Sequence, residues 1–270
     1  MYLLPLNIVY DNFYSISIKY SVIQNSSPEY SFDHLVIIAR DKLQWLSGIF
    51  TEKGFQVTPI AHHNLGSINQ LIMLDSTYIE LLGWEPDKPT LRAEIANQAM
   101  GLDALVFRTN NAEKTYEQLI KKGFCVNPVQ DLSREAEFMG KKVLVQFKTV
   151  RFSQQPIPGI RIYFCEHLTP EYVWQDQWLI HTNQFNRLAR ITIACSNINR
   201  DAKILSQLLN LDAQNIAITG ESAHLTLPNL ALNLQNISKL NEAKILSAQV
   251  CKATLDPVDF IIDNNLIQNP

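Results

Sequence analysis

The chain has 270 residues, a formal net charge of −3 and a sequence pI of about 6.1. Hydrophobic residues make up 46% of it, which is enough for the core of one large or two smaller domains. The charges are scattered in both signs, so we expect no nucleic-acid partner, because a phosphate backbone requires a basic stripe. No apolar run approaches the ~20 residues of a membrane span, and the N-terminus lacks the basic start of a secretory signal. We therefore expect a cytoplasmic protein without a membrane partner.

Residues 1–31 precede the patterned part of the chain and are interpreted as an N-terminal extension. Residues 15–22 alternate between polar and apolar, so this stretch either adds an edge strand or is an unstructured extension.

Three later segments, 33–57, 102–126 and 187–210, share one pattern. Each begins with a β-branched and aromatic run, which favours a strand. A polar residue then follows as a candidate helix cap: Asp41, Asn111 and Asn199. Each predicted helix has apolar residues spaced near 3.6, namely Leu43, Leu46 and Phe50, then Tyr116, Leu119 and Ile120, then Leu205, Leu208 and Leu209.

Glycines mark the ends of the first two predicted helices. Gly54 and Gly123 stand in identical Lys-Gly-Phe steps, where a left-handed residue after a helix is common. The third copy lacks this glycine, so its membership of the repeat is the weakest.

Further strands are predicted after each helix, at 55–59, 69–74 and 78–84, then 125–129, 142–152 and 160–166, then 216–219, 224–227 and 230–235. A helix capped by Thr90 is predicted over 89–100, between the first two copies. The repeated order of strand, helix and three strands predicts an α+β layer architecture. We predict a domain over 32–185, with modules at 33–84 and 102–166, and a third, degenerate module over 186–270.

These pieces resemble the glyoxalase-like domain of the vicinal-oxygen-chelate superfamily. The resemblance is carried by DHLVIIARD, HHNLGSINQL, TYIELLGW, GLDALVFRT, KKGF, IYFCEH and HTN, which together run from about 33 to 195. It implies that two βαβββ modules pair into a cup-shaped mixed sheet. A divalent metal often sits on the floor of this cup, held by residues of the first and last strands of each module.

Carried over by position, the resemblance implies His34, Glu80 and Glu166 as metal ligands. The first-strand position of the second module falls on Ala104 by the strand pattern, or on Asp103 by the ungapped offset between copies, and only Asp103 could be a ligand. An imidazole with two carboxylates suits Fe, Mn, Ni, Co or Zn. In the third module the matching positions are Arg190 and about Asn233, so no metal is expected there.

A second group of residues is predicted to line the cup. His181 and His62 are the candidates for moving protons, since imidazole titrates near neutral pH. Asn69, Arg134 and Asn183 are the candidates for binding a substrate. The aromatic segment that contains Trp174 and Trp178 is predicted either to fold over the cup as a lid or to cover a hydrophobic edge.

Three functions stay open from the sequence. The first is a metal-dependent enzyme of the lyase, isomerase or dioxygenase class acting on a small oxygenated molecule, with glyoxalase-type chemistry as the nominal choice. The second is a metal-free protein of the same fold that binds or sequesters a small molecule. The third is an assembly protein in which the last module mediates contacts, for example in a homodimer.

Overall fold

The computed structural model describes residues 30–88, 90, 92–252 and 259–268. The prediction of an edge strand at 15–22 therefore lies outside the described residues. The strands are β1 Ser31–Arg40, β2 Ala61–His62, β3 Ile68–Met73, β4 Tyr78–Gly83, β5 Gly101–Arg108, β6 Gln130–Phe138, β7 Lys141–Arg151, β8 Arg161–His167, β9 Phe185–Cys195, β10 Ile216–Thr219, β11 Ser222–Thr226, β12 Ala231–Asn236, β13 Lys244–Lys252 and β14 Asp259–Asp263. The helices are α1 Leu43–Glu52, α2 Ala93–Ala96, α3 Ala112–Lys121, α4 Ile198–Leu209 and α5 Asn264–Gln268.

The first eight strands form one mixed sheet, sheet A, in the order β2-β3-β4-β1-β5-β8-β7-β6. At its centre, β1 pairs in parallel with β4 and antiparallel with β5. β5 in turn pairs in parallel with β8, so the two halves of the sheet repeat one arrangement. The predicted α+β fold of paired βαβββ modules is confirmed.

Sheet A curls until its two edges almost meet. Residues His63, after β2, and Arg134, in β6, form an isolated antiparallel bridge, and the Asn64 backbone N–H donates to the Ser133 carbonyl at 3.1 Å. This seam turns the sheet into a nearly closed cup and brings together side chains that are about 70 residues apart in sequence.

The remaining strands form sheet B, in the order β10-β11-β12-β9-β13-β14. β9 pairs in parallel with β12 and antiparallel with β13, as β1 does with β4 and β5. The third module therefore has the same connectivity as the first two. The sequence pattern did not predict strands β13 and β14 or the short helix α5.

Helix ends follow the polar pattern in part. Asn111 caps α3 by accepting from the Lys114 backbone N–H at 2.8 Å. α4 is capped by Asn197 and not by Asn199, since the Asn197 side chain accepts from Arg200 N at 2.9 Å. α1 begins after Lys42 without a side-chain cap, so the prediction for Asp41 is wrong.

The left-handed helix ends occur where the sequence predicts them. Gly54 and Gly123 have φ values of +83° and +86°. Asn210, the best substitute for glycine in this conformation, takes φ of +53° after α4. The predicted helix over 89–100 is one turn, α2, and the Thr90 hydroxyl accepts from the Arg92 N–H just before it.

The buried apolar residues form two clusters on opposite faces of sheet A. The outer cluster contains α1, α3, α4 and much of sheet B, and it includes Leu46, Leu119 and Leu205 from the three predicted helix stripes. The inner cluster fills the cup and includes Val36 and Val106. Among the described residues, no helix is both long enough and apolar enough to cross a membrane.

Candidate functional site

A bulge in β1 positions two polar residues inside the cup. The pairing of β1 with β5 shifts register between Phe32 and His34, so Asp33 is the extra residue. Phe32 and Leu35 both pack into the outer cluster. A bulge bends the strand and re-aims side chains, so Asp33 and His34 both turn toward the cup, where an unbroken strand would send one of them outward.

The ring of His34 is held on both sides. Its Nδ1 lies 2.7 Å from Asp33 Oδ2, and the ring stacks on Tyr78 with the centroids 4.4 Å apart. With Nδ1–H donating to the carboxylate, the lone pair of Nε2 points into the cup. There Nε2 lies 3.2 Å from the Tyr163 hydroxyl and 3.6 Å from Glu80 Oε2.

Glu80 is an ionised carboxylate in this buried place. Its other oxygen accepts from the Asn69 amide at 2.7 Å. Burial raises the pKa of Glu80, but His34, the Asn69 amide and Arg92 outweigh burial and leave the pKa below its usual value. Burial, together with the charge of Glu80, raises the pKa of Tyr163, so its phenol keeps its proton.

The strand register identifies the equivalent positions in the second module. Glu80 pairs with Val36, two residues after His34. In β5 and β8 the same relation joins Ala104 to Tyr163, because Val106 pairs with Tyr163. Ala104 therefore takes the first-strand position and offers no ligand. Asp103 is bound to Arg161 instead, with its Oδ2 2.7 Å from Nε.

In the structure, Glu166 does not lie on the same face of sheet A as His34 and Glu80. Glu166 stands three residues after Tyr163 and therefore on the opposite face of β8. Its carboxylate accepts from the Ala112 backbone N–H at 2.8 Å, at the first turn of α3. This placement is that of a helix-capping carboxylate and corrects the predicted role as a third metal ligand.

Asp33 is the centre of a charged network beneath His34. It accepts from Arg108 Nε at 2.7 Å and from His167 Nε2 at 2.9 Å, in addition to His34. The ligand atoms of Asp33, Cys165 and His167 all lie within 4.8 Å of one another. Arg108 already balances the carboxylate, and burial raises the pKa of the Cys165 thiol, so this cluster supports His34 better than it would hold a cation.

His63 and Arg134 enter the cup at the seam. His63 donates to or accepts from Ser67 Oγ at 3.0 Å, and burial lowers its pKa to about 3, so the imidazole is neutral. Arg134 is 8% exposed and lines the inner cavity together with Asn69 and Glu80. His62 is exposed, lines the outer groove and pairs with Glu85 at 3.4 Å, so it does not enter the inner cavity.

The other two predicted residues lie away from the cup. Both ring nitrogens of His181 are used by the backbone: Nε2 donates to the Met73 carbonyl at 2.7 Å, and Nδ1 accepts from Gln56 N–H at 2.9 Å. Asn183 donates to the Lys53 carbonyl at the end of α1. Their placement is structural and corrects the predicted catalytic role of His181 and the substrate-binding role of Asn183.

The aromatic segment folds over the cup. Trp174 contacts His167 and Tyr78 with ring centroids 4.9 and 5.7 Å apart, and its ring receives the Arg108 guanidinium at 4.4 Å. Trp178 lines a groove of about 930 Å³. This groove shares His63, Leu71 and Arg134 with an inner cavity of about 30 Å³, which adjoins His34, Glu80 and Tyr163. The groove and the inner cavity therefore adjoin at these three shared side chains.

Sequence reasoning missed Asp33, His63 and Tyr163. Asp33 stands next to a predicted ligand, but only the bulge makes it an inward residue. The alternation of β8 could have identified Tyr163, since it shares the inward face of the strand with Cys165.

The family model described as "Glyoxalase-like domain" matches residues 32–209, about two thirds of the chain. The structure is similar to that of a hypothetical protein from Staphylococcus aureus, with 15% identity and a TM-score of 0.66, covering 82% of this chain and 90% of that one. A mutant 4-hydroxymandelate synthase from Streptomyces coelicolor matches with 12% identity and a TM-score of 0.46, covering 77% and 63%. A xylose isomerase-like TIM barrel/4-hydroxyphenylpyruvate dioxygenase fusion protein matches with 16% identity and a TM-score of 0.48, covering 82% and 37%. None of the curated proteins compared with the chain matches it significantly.

Proposed function

The chain belongs to the family of the glyoxalase-like domain, and we propose that it is a metal-dependent enzyme acting on a small oxygenated molecule. The reaction class would be lyase, isomerase or dioxygenase. The observation that carries the proposal is the convergence of His34 Nε2, Glu80 Oε2 and Tyr163 Oη on one point of the cup, with Asp33 holding the back of the imidazole.

The donor set fits a divalent cation such as Fe, Mn, Ni, Co or Zn. Nitrogen and oxygen donors suit these ions. Ligands of one ion at about 2.1 Å lie roughly 3–3.4 Å from each other, and the 3.2 and 3.6 Å separations from His34 Nε2 are close to this range. A carboxylate on the far side of a ligating histidine, as Asp33 is here, fixes the tautomer and raises the basicity of the ligand. A metal bound by His34, Glu80 and Tyr163 would polarise a substrate oxygen.

The protein's own groups supply the rest of the chemistry. Glu80 would hold the metal through Oε2, and the Asn69 amide fixes its orientation by donating to Oε1. Arg134 stands where the groove meets the inner cavity and can bind a substrate oxygen. The aromatic segment from Tyr172 to Trp178 keeps water away from the cup.

Elemental analysis tests the proposal. We expect about one ion per chain in the purified, tag-free protein, none in His34→Ala and strongly reduced metal in Glu80→Gln. His224→Ala is the matched control, since His224 is an exposed histidine of sheet B. A metal content that stays unchanged in His34→Ala would refute the assignment of the site.

One observation favours a second candidate, a metal-free small-molecule binding protein. Ala104 and Val106 make the β5 side of the cup apolar, so the second module adds no first-strand ligand. This candidate predicts no metal in the parent protein even after reconstitution. It also predicts a rise in melting temperature with a small molecule in the presence of a chelator.

A further inference from the structure

A second pocket opens beside the cup, on the other side of the seam from the groove. We call it the arginine pocket. It has a volume of about 280 Å³, and its polar lining is formed by Arg92, Arg151, Arg161, Glu94, Tyr163, Asn127, Gln130 and Gln155. Two of the three arginines, Arg92 and Arg161, are buried and Arg151 is partly buried, and such guanidinium groups around one small cavity are costly unless they are paired.

Two of the arginines of this pocket share one carboxylate. Glu94 is shared, because its Oε1 accepts from Arg92 Nε at 2.9 Å and from Arg151 Nη1 at 3.0 Å. Asp103 pairs with Arg161 alone. Among the described residues that line or pair across the pocket, three arginines thus face two carboxylates, and Glu80 is a third carboxylate near Arg92 and Arg151 in the adjoining inner cavity.

Arg161 is incompletely paired at the level of single atoms. The residue is 8% exposed, and its Nε donates to Asp103. Its Nη1 is fully buried and has no hydrogen-bond partner within the described part of the chain. A buried guanidinium N–H without an acceptor loses its hydration and gains nothing in return, so Nη1 marks an incompletely paired guanidinium in the wall of the pocket.

Arg151 is repelled by a neighbouring arginine. Burial, followed by repulsion from Arg92, lowers its pKa to about 10. Its guanidinium lies over the Tyr163 ring, with Cζ 4.9 Å from the centroid. A bound anion would offset the repulsion between the two arginines.

The arginine pocket is adjacent to the proposed metal site. It shares Arg92, Arg151 and Tyr163 with the inner cavity, and the Tyr163 hydroxyl is 3.2 Å from His34 Nε2. An anion bound by the arginines therefore lies across Tyr163 from the groups of the proposed active site.

We propose that the arginine pocket binds the carboxylate of a small organic acid, and that this acid is the substrate or product of the cup. The identification of this acid as the substrate or product rests on the proposed function. The binding of a carboxylate in the arginine pocket does not depend on that function. A guanidinium binds a carboxylate through two parallel N–H···O bonds, and Arg92 and Arg151 share the one carboxylate of Glu94.

Isothermal titration calorimetry with benzoate, its neutral isostere benzamide and inorganic phosphate tests the inference. We expect the parent protein to bind benzoate and to bind benzamide at least tenfold more weakly. Arg151→Gln should weaken benzoate at least tenfold, since Glu94 keeps Arg92 as a partner. Arg161→Lys, which retains the pair with Asp103, should weaken it as well. Arg190→Gln, the same change on the exposed face of sheet B, should leave the affinity within about twofold.

Several results would overturn the inference. These are the absence of benzoate binding by the parent protein, equal affinities for benzoate and benzamide, or unchanged benzoate affinity in a folded Arg151→Gln protein. Tighter binding of phosphate than of benzoate would overturn the choice of a carboxylate. The comparison of benzoate with benzamide needs no variant, so it stands even if a substitution prevents folding.

The parent protein separates the two proposals. Benzoate binding by a parent protein that holds no metal even after reconstitution would support the arginine pocket and refute the metal-dependent function. A protein that contains metal but binds no benzoate would do the reverse.

Discussion

Replacing Asp33 with asparagine keeps the shape of the side chain and removes its charge. Asp33 is fully buried and accepts charge-assisted hydrogen bonds from His34, His167 and Arg108, at 2.7 to 2.9 Å. Each such bond contributes ~1.5–3 kcal/mol, less for the partly exposed Arg108, and the removal of one partner of a buried ion pair costs ~3–5 kcal/mol. We expect Asp33→Asn to lower the free energy of unfolding by about 3–5 kcal/mol.

Urea unfolding of the metal-free protein at pH 7 measures this loss, and Asp75→Asn is the matched control. Asp75 is exposed, so its replacement should change the free energy of unfolding by less than ~0.5 kcal/mol. A loss of less than ~1 kcal/mol in Asp33→Asn would show that the network under His34 does not stabilise the fold. If the variant folds, the affinity for metal should fall ~10–100-fold, because Asp33 no longer fixes the tautomer of His34.

Three further predictions concern the backbone, the acid stability and the linker between the sheets. Gly123→Ala should lower the free energy of unfolding by ~1–2 kcal/mol, the cost of an alanine in a left-handed conformation. Gly54→Ala should lower it more, because the new Cβ would lie 2.8 Å from Thr182 Oγ1. Equal losses of the two variants in chemical denaturation would contradict this. Burial lowers the pKa of His63 to about 3 in the native state. Between pH 6 and pH 4 the unfolded state therefore binds a proton that the native state does not bind, so the free energy of unfolding decreases as the pH falls. His63→Gln should reduce that slope by up to ~1.4 kcal/mol per pH unit in urea titrations of the metal-free protein, and an unchanged slope would contradict a neutral His63. His181→Ala should cost ~1–3 kcal/mol by leaving two backbone groups unpaired, while the metal content measured by elemental analysis stays at the parent level.

Local patterns predict the βαβββ fold, which the structure confirms. His34 and Glu80 lie in strands that pair in continuous parallel register from His34 to Ile38, so their shared inward face follows from the alternation of each strand. The same alternation placed Arg190 and Asn233 at the matching positions of the third module, and the pairing of Asn233 with Thr192, two residues after Arg190, has the predicted register.

The rest of the site depends on features that one sequence does not show. The resemblance places the last-strand ligand of the second module at Glu166, whereas the register of β8 puts Tyr163 at that position and Glu166 on the opposite face. Likewise His62 was preferred to its neighbour, and only the bridge between His63 and Arg134 shows which imidazole faces inward. Both differences have one physical cause. The face of the sheet that a side chain occupies depends on the register of strand pairing, and contacts between residues distant in sequence set that register.

The third module contributes to the candidate site without having one of its own. In sheet B the positions of His34 and Glu80 are taken by Arg190, which is exposed, and Asn233, and no second module with its own helix closes over them in the described part of the chain. Asn229, just before β12, accepts from the Phe32 backbone N–H at 3.0 Å and donates to the Phe32 carbonyl at 2.9 Å. Phe32 is the residue before the bulge that turns Asp33 and His34 inward, and both of its backbone groups are thereby fixed from a position 197 residues away. The last module thus helps to set the conformation of the strand that carries His34, so a module that lacks the proposed ligands still contributes to the candidate site.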